Sequence, residues 1–171
     1  SICRSSRGPL LRSLDAPSQH QRPTSHCSKC PIQLAPLAQA AQFGLKIQPD
    51  NAREITRIGE MIKAATQEQL PVVHPQQPEI AGVTISQLSA PSASPDADMQ
   101  NAVVVSTGKL DWERPSSWTG ACDRSPCGTG TCAKMATLYA RGELALGEPF
   151  RHAGILGTGF TGELIRETDI G

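Results

Sequence analysis

The chain has 171 residues with 16 basic and 16 acidic side chains, so its formal net charge at pH 7 is zero. This balance gives no electrostatic reason to expect nucleic acid or an anionic membrane surface as a partner. No stretch approaches the roughly 20 apolar residues that span a bilayer. Six Cys in a chain of this length do not form the dense disulfide scaffold of a small secreted domain, and no apolar signal-peptide core is present. We therefore expect a cytoplasmic protein with free thiols.

Residues 1–43 differ in composition from the rest of the chain. They are rich in Ser, Pro and basic side chains, contain the single acid Asp15, and show no sustained period of 2 or 3.6 residues. We predict that they carry no packed structure. They are either an organelle presequence, since such leaders are rich in Arg and Ser, or the product of a shifted frame or misjudged exon boundary. Cys27 and Cys30 resemble half of a zinc ribbon, but no second pair follows.

From Gly44 onward the pattern becomes regular. Apolar residues recur at spacings of three and four, at Ile55, Ile58, Ile62 and Ala65. This spacing predicts an amphipathic helix that ends before Pro71. Its N-cap is Asp50 or Asn51, and Glu54 is placed to complete a capping box with Asn51.

Two strands and a second helix are predicted next. Residues 82–88 alternate in polarity and residues 101–106 are β-branched and apolar, as strands are. A helix is expected over residues 132–141, and Gly142 can supply its left-handed stop. Residues 160–168 alternate again and predict a final strand.

The segment that carries chemistry surrounds Cys127. Pro126 fixes the backbone before this Cys, and Gly128 and Gly130 permit conformations that other residues avoid. A helix follows within a few residues, so the thiol and the next backbone amides should lie at the positive end of a helix dipole. That position lowers a thiol pKa and forms an anion site suited to a carboxylate. Asp123 is placed to accept from an amino group, so the segment predicts deprotonation of an amino acid at Cα.

Residues 123–131, DRSPCGTGT, resemble the second active-site motif of the proline racemase family. Other segments that resemble the family are residues 51–53, 73–75, 82–84, 147–150, 154–158 and 160–162. The resemblance covers about 44–171 and implies an α+β fold of the diaminopimelate-epimerase type. In that fold each of two lobes presents one Cys, and a sheet wraps around a central helix. Residues 44–80 would form the inter-lobe helix and turn, and residues 81–171 the second-Cys lobe.

The resemblance also implies a reaction and the roles of four residues. One thiolate removes the Cα proton of proline or 4-hydroxyproline and a second thiol protonates the opposite face, without cofactor or metal. Cys127 is then a catalytic thiol, Asp123 contacts the substrate amine, and Gly128 and Thr129 bind its carboxylate. Intact members are expected to be homodimers. Since no Cys here is followed by the Gly-His of the family's first motif, we expect this chain to be an inactive fragment.

Three other interpretations of the sequence remain open. Gly157, Gly159 and Gly162 match the dinucleotide fingerprint G-x-G-x-x-G, but that site needs a helix after it, and residues 162–168 alternate like a strand. A zinc site built from Cys122, Cys127 and Cys132 matches no common ligand spacing. The chain could also be a remnant that catalyses nothing.

Overall fold

A computed structural model describes residues 36–70, 73, 78–79, 81–106 and 108–167, together with the backbone of residues 2–7. This part of the chain contains two α-helices and one seven-stranded sheet. In chain order the elements are β1 (Ile2–Arg7), β2 (Leu37–Gln39), α1 (Ala52–Gln69), β3 (Ile85–Pro91), β4 (Met99–Ser106), β5 (Gly120–Cys122), α2 (Gly128–Ala140), β6 (Pro149–Ala153) and β7 (Gly159–Arg166). None of the helices in these ranges is long and apolar enough to cross a membrane.

The sheet has the order β1-β7-β6-β4-β3-β2, and β5 also pairs with β4. β5 and β6 share one edge of β4. β5 pairs antiparallel with residues 104–106 and β6 pairs parallel with Met99 and Gln100. Between them, residues 101–103 of β4 have no strand partner on that edge. The loop from β5 to α2 fills this gap, since the amide of Asp123 donates to the Val103 carbonyl at 2.8 Å.

Each face of the sheet is covered by one helix. A Cβ added to Gly59 of α1 would meet Val104, whereas one added to Gly130 of α2 would meet Val103. Side chains of adjacent strand residues point to opposite faces, so the two helices pack on opposite sides of β4. The α1 face has an apolar core made of Ala40, Ile47, Ile55, Leu88, Ala102, Val104 and Ile155. The α2 face is apolar only farther along the helix, at Met135, Leu138, Leu144, Phe150 and Leu164.

Beneath the first turns of α2 the core is polar. Fully or nearly fully buried side chains in this region are Gln87, Asn101, Thr131, Lys134 and His152. Burying polar groups is costly unless they are hydrogen-bonded. The polar layer under the N-terminus of α2 therefore stabilises the fold less than an apolar core at the same position would.

The first helix is confirmed and has Asn51, one of its two predicted N-caps, at the N-cap position, but the predicted capping box does not form. α1 spans Ala52–Gln69, and Asn51 occupies the N-cap position without a capping hydrogen bond from its side chain. The Asn51 side-chain amide instead donates to the Lys46 carbonyl at 2.8 Å, and Glu54 pairs with Arg57 at 2.9 Å. A 3₁₀ turn directly precedes the helix, so the chain enters α1 already coiled and the capping box does not form.

The remaining element predictions are confirmed with shifted bounds. β3 begins three residues later than expected, β4 two residues earlier, and β7 ends at Arg166. α2 begins at Gly128 instead of residue 132, because two glycines and a threonine adopt helical conformation directly after Cys127. Gly142 has φ 72° and ends that helix as predicted. β6 was missed, since its five residues show no clear alternation.

The prediction that residues 1–43 carry no packed structure is wrong where the structure describes them. β2 pairs in parallel with β3, and Ala40 is completely buried in the core on the α1 face. β1 pairs antiparallel with β7. The three residues of β2 are too few to produce a recognisable period, so no pattern predicted this strand. The Cys27 and Cys30 pair lies outside the described residues.

Replacing Gly59 by Ala should destabilise the protein. The new Cβ would lie 2.7 Å from the Val104 Cβ and 2.8 Å from the Ser86 Oγ, both on packed strands. We expect the free energy of unfolding to fall by about 1–3 kcal/mol, in spite of the gain of roughly 1 kcal/mol in helix propensity. Urea denaturation measures the change. Gly108→Ala is the matched control, because nothing lies within 4 Å of its added Cβ, and a Gly59→Ala protein as stable as that control contradicts the prediction.

Candidate active site

A tight turn over residues 123–127 presents the predicted catalytic Cys. The Asp123 Oδ1 accepts hydrogen bonds from the Ser125 amide at 2.9 Å and from the Ser125 hydroxyl at 3.0 Å. The Ser125 Oγ in turn accepts from the Cys127 amide at 3.2 Å. Asp123 therefore shapes the turn through one carboxylate oxygen, a structural role of the kind that Asp often has in turns. Ser125 was not singled out from the sequence.

Cys127 has a strained backbone. Its φ is 59° and its ψ is 121°, and it is the sole residue other than Gly with positive φ in the described part of the chain. Such a conformation costs about 1–3 kcal/mol and persists only where the surrounding structure enforces it. Residues held in this way cluster at functional sites. In this conformation Cys127 is the N-cap residue of α2.

The backbone amides at the start of α2 point toward the thiol. The Gly130 amide donates to the Cys127 Sγ at 3.4 Å, as a capping side chain requires. Thr129 also offers its amide to the thiol. Gly128 is exposed, and nothing lies within 4 Å of where its Cβ would be. The structure thus brings Asp123, Cys127, Gly128 and Thr129 together at one helix N-terminus, as expected.

The predicted lowering of the thiol pKa is wrong for this chain. Burial raises the pKa of the Cys127 thiol above its ordinary value, and this effect exceeds all others. The Gly130 and Thr129 amides act in the opposite direction, while Asp123 and Cys132 raise the pKa further. The helix N-terminus stabilises the thiolate, but less than the loss of water destabilises it. Cys127 is therefore a protonated thiol at neutral pH.

Gly154 lets the turn between β6 and β7 pack against the Cys127 loop. A Cβ at this position would lie 2.9 Å from both the Pro126 nitrogen and the Ser125 carbonyl carbon. Any side chain would displace the backbone of the loop. The Thr158 hydroxyl, in the same turn, donates to the Arg124 carbonyl at 3.3 Å. The segment 154–158 noted in the sequence thus forms one wall of the loop.

The other wall is polar and was not found from the sequence. The Asn101 side-chain amide donates to the Pro126 carbonyl at 2.8 Å, and the Thr131 hydroxyl donates to the same oxygen at 3.3 Å. His152 Nδ1 lies 3.0 Å from the Thr131 Oγ1. Burial, followed by the positive charge of Lys134, lowers the pKa of His152 to about 4. The one feature of the sequence that could have indicated this polar wall is Asn101, a polar residue in a strand that is otherwise mainly Val and Ala.

The alternative sites do not match the geometry. Gly159 and Gly162 lie within strand β7, so the helix that a dinucleotide fingerprint requires after it is missing there. Among the described residues, no group of three or more His, Cys, Asp or Glu side chains could hold a metal ion. None of Cys122, Cys127 and Cys132 forms a disulfide with another described residue.

Comparison with known proteins identifies the family. The sequence profile described as proline racemase matches residues 35–171. The chain belongs to the proline racemase family. The matched region begins nine residues before the boundary at Gly44 expected from the sequence and includes β2, in agreement with the packing of that strand.

Several members of the proline racemase family are similar to this chain. The proline racemase of Clostridioides difficile is 37% identical over 134 residues, covering 78% of this chain and 36% of its own length. The 4-hydroxyproline 2-epimerase of Allorhizobium ampelinum is 38% identical over 125 residues, covering 73% of this chain and 32% of its own length. The chain thus spans about a third of the length of these relatives.

A solved structure confirms the α+β fold of the diaminopimelate-epimerase type. The hydroxyproline epimerase of Agrobacterium vitis with bound trans-4-hydroxy-L-proline superposes with a TM-score of 0.66 at 34% sequence identity. The match covers 79% of this chain and 35% of that protein. The described sheet, with α2 lying against it from β3 to β7, is the part of the fold that carries Cys127.

The acidity of Cys127 can be tested by alkylation. Because the thiolate is the reacting form, the rate with iodoacetamide follows ionisation. Since burial raises the pKa, we expect the rate at Cys127 to rise with pH at a higher midpoint in the folded chain than in urea. Mass spectrometry with fragmentation separates Cys127 from Cys132, and Cys127→Ser confirms the signal. A lower midpoint in the folded chain would show that the helix amides outweigh burial.

Proposed function

We propose that the protein to which this chain belongs interconverts the Cα configurations of proline or 4-hydroxyproline without a cofactor, with Cys127 as one of two thiol acid/bases. The observation that carries the proposal is the position of Cys127 at the N-terminus of α2, one tight turn from Asp123. Family membership and the names of the relatives, both racemase and epimerase, support the reaction class. The two-thiol mechanism follows from the resemblance of residues 123–131 to the family's motif.

The proposed reaction moves two protons and consumes no reductant or oxidant. One thiolate forms an S–H bond with the Cα proton, and the electron pair left on Cα delocalises into the carboxylate. A thiol on the opposite face then gives its proton to Cα and becomes a thiolate. The Cα–H bond broken on one face is formed on the other, so the configuration inverts.

The described site can hold both charged ends of an amino acid. Gly128 is exposed at the start of α2, so we assign its amide to the substrate carboxylate, together with the amide of the half-buried Thr129, which the carboxylate would share with the Cys127 thiol. These donors would also support the negative charge that develops as the proton leaves. The Asp123 Oδ1 is engaged by Ser125, so we assign the other oxygen, Oδ2, to the substrate ammonium.

The raised pKa of Cys127 favours one role over the other in the resting site. A thiol that is protonated at neutral pH is ready to donate a proton, whereas the base of the pair must be a thiolate. We therefore propose that Cys127 is the resting proton donor. After one turnover the proton is on the other thiol, and Cys127 acts as the base for the reverse direction.

The organisation of the intact protein is part of the proposal. Residues 44–80 would form the inter-lobe helix and turn, and residues 81–171 the second-Cys lobe of a two-lobed, homodimeric, cytoplasmic enzyme. The second thiol would come from the other lobe. The chain described here would then exchange the Cα proton on one face and leave the configuration unchanged.

Proton exchange in D2O tests the role of Cys127. The chain is incubated with L-proline and, separately, with trans-4-hydroxy-L-proline near pD 9.5, because the raised pKa of Cys127 leaves little thiolate at neutral pD. Proton NMR follows the Cα signal, and chiral chromatography follows the configuration. We expect loss of the Cα signal without inversion, and the faster of the two amino acids identifies the substrate.

The matched control is Cys127→Ser, which keeps the size and capping capacity of the side chain but removes the thiolate. Exchange should disappear in this variant. Equal exchange in both proteins contradicts the role of Cys127, and inversion by the unmodified chain contradicts the assignment of the second thiol to the other lobe. If neither protein exchanges the Cα proton, the expectation that this chain binds and deprotonates the substrate by itself is wrong.

A further inference from the structure

We infer that His152 is a positioning residue for Cys127, acting through the hydroxyl of Thr131 and the carbonyl of Pro126. The inference rests on the proposed function, in which Cys127 is the reacting thiol. His152 is completely buried, and its ring contacts the Thr131 hydroxyl, which lies between it and the Cys127 loop. It acts from the polar layer between α2 and the sheet, where the chain would otherwise have an apolar core.

The strained backbone of Cys127 needs to be held from both sides. On its C-terminal side the residue is fixed by α2, since the Thr131 amide donates to the Cys127 carbonyl at 2.9 Å. On its N-terminal side the strained φ follows the Pro126–Cys127 peptide unit, whose N–H donates to the Ser125 Oγ at 3.2 Å and whose carbonyl oxygen is that of Pro126. Pro126 is itself buried, so its carbonyl depends on protein donors. Whatever fixes that carbonyl also fixes the direction in which the thiol leaves the backbone.

Two side chains fix the Pro126 carbonyl. Asn101 on β4 donates to it at 2.8 Å and Thr131 on α2 donates at 3.3 Å. The first bond ties the loop to the sheet and the second ties it to the helix. A Thr hydroxyl hydrogen rotates freely about the C–O bond. The second bond therefore needs another group that holds this hydrogen toward the Pro126 carbonyl.

His152 is that group, and the direction of its hydrogen bond follows from counting protons. The Thr131 hydroxyl has one hydrogen, and that hydrogen is given to the Pro126 carbonyl. The 3.0 Å contact with His152 Nδ1 therefore requires Nδ1 to carry the hydrogen and Thr131 Oγ1 to accept it. The relay runs from the His152 N–H to the Thr131 O–H to the Pro126 carbonyl.

The His152 ring is well placed to stay fixed in this tautomer. It is completely buried on β6, and its centroid lies 5.1 Å from that of Phe150. Lys134, on the sheet-facing side of α2, adds a positive charge nearby, and with burial it keeps the ring neutral at ordinary pH. Nε2 has no hydrogen-bond partner among the described residues, in keeping with an unprotonated nitrogen at that position.

Loss of the His152 donor should act on Cys127 specifically. The Thr131 hydroxyl would be free to rotate away from Pro126, and the carbonyl would lose one of its two anchors. The strained φ of Cys127 could then relax, which moves the Sγ away from the Gly130 amide that stabilises its thiolate. The thiol titration would shift to higher pH, and at a fixed pH below the midpoint the alkylation rate would fall.

Three single variants of the full chain test the relay. His152→Leu removes the donor at similar volume, Thr131→Val removes the hydroxyl with nearly unchanged shape, and His152→Asn keeps an N–H at the position of Nδ1. The readout is the iodoacetamide rate at Cys127 at pH 8, resolved by peptide mass spectrometry. We expect a fall of about fivefold in the first two variants, the size of one lost buried hydrogen bond, and a rate within twofold of the original for His152→Asn.

Further measurements separate positioning from general loosening. Cys122 and Cys132 serve as internal controls, and their rates should not change. The double variant His152→Leu/Thr131→Val should be no slower than either single variant, because both break one relay. The proposal is overturned if His152→Asn behaves like His152→Leu, if Thr131→Val keeps the original rate, or if all three thiols change together. Alkylation needs no substrate, so these rates test the relay even if the chain does not exchange the Cα proton of either amino acid.

Discussion

The site depends on the backbone of Cys127, which the fold holds in a conformation that an isolated chain would leave. Its φ of 59° is enforced by the start of α2 on one side and by the anchored carbonyl of Pro126 on the other. The cost of about 1–3 kcal/mol for such a residue has to be met by packing elsewhere. The cores on the two faces of the sheet provide it, since each fully buried aliphatic side chain contributes roughly 1.5–3 kcal/mol.

Sheet topology explains why the loop can be held so closely. β5 and β6 pair with opposite ends of one edge of β4, and the loop from Asp123 to Cys127 occupies the space between them. Backbone approaches of this kind require small residues. Gly154 meets the loop from the β6–β7 turn and Gly130 meets the sheet from α2, and a Cβ at either position would overlap its neighbours. The glycines therefore serve close packing here, not only chain flexibility.

The sequence predicted what depends on local pattern and missed what depends on tertiary contact. The spacing of Ile55, Ile58 and Ile62 located α1, and residues 123–131 located the candidate site, because each signal lies in one continuous segment of the chain. The polar layer was not predicted, because Asn101 and His152 lie on separate strands. They come close together only when β4 and β6 pair. The same limit explains the wrong pKa direction for Cys127. The sequence predicts that Cys127 lies at a helix N-terminus, which lowers a thiol pKa. It does not predict how deeply the thiol is buried, and burial has the larger effect on its pKa.

The balance of charges around Cys127 bears on how the proposed reaction begins. Burial and the Asp123 carboxylate raise the thiol pKa, and the amides of Thr129 and Gly130 lower it. A bound zwitterion would place its ammonium at Asp123 and its carboxylate at the amides, so the two new charges oppose each other and leave burial as the largest effect. Substrate binding alone therefore does not convert Cys127 into a base. At neutral pH, under the proposed mechanism of the intact enzyme, it becomes one by giving its proton to Cα after the opposing thiolate has removed a proton from the other face.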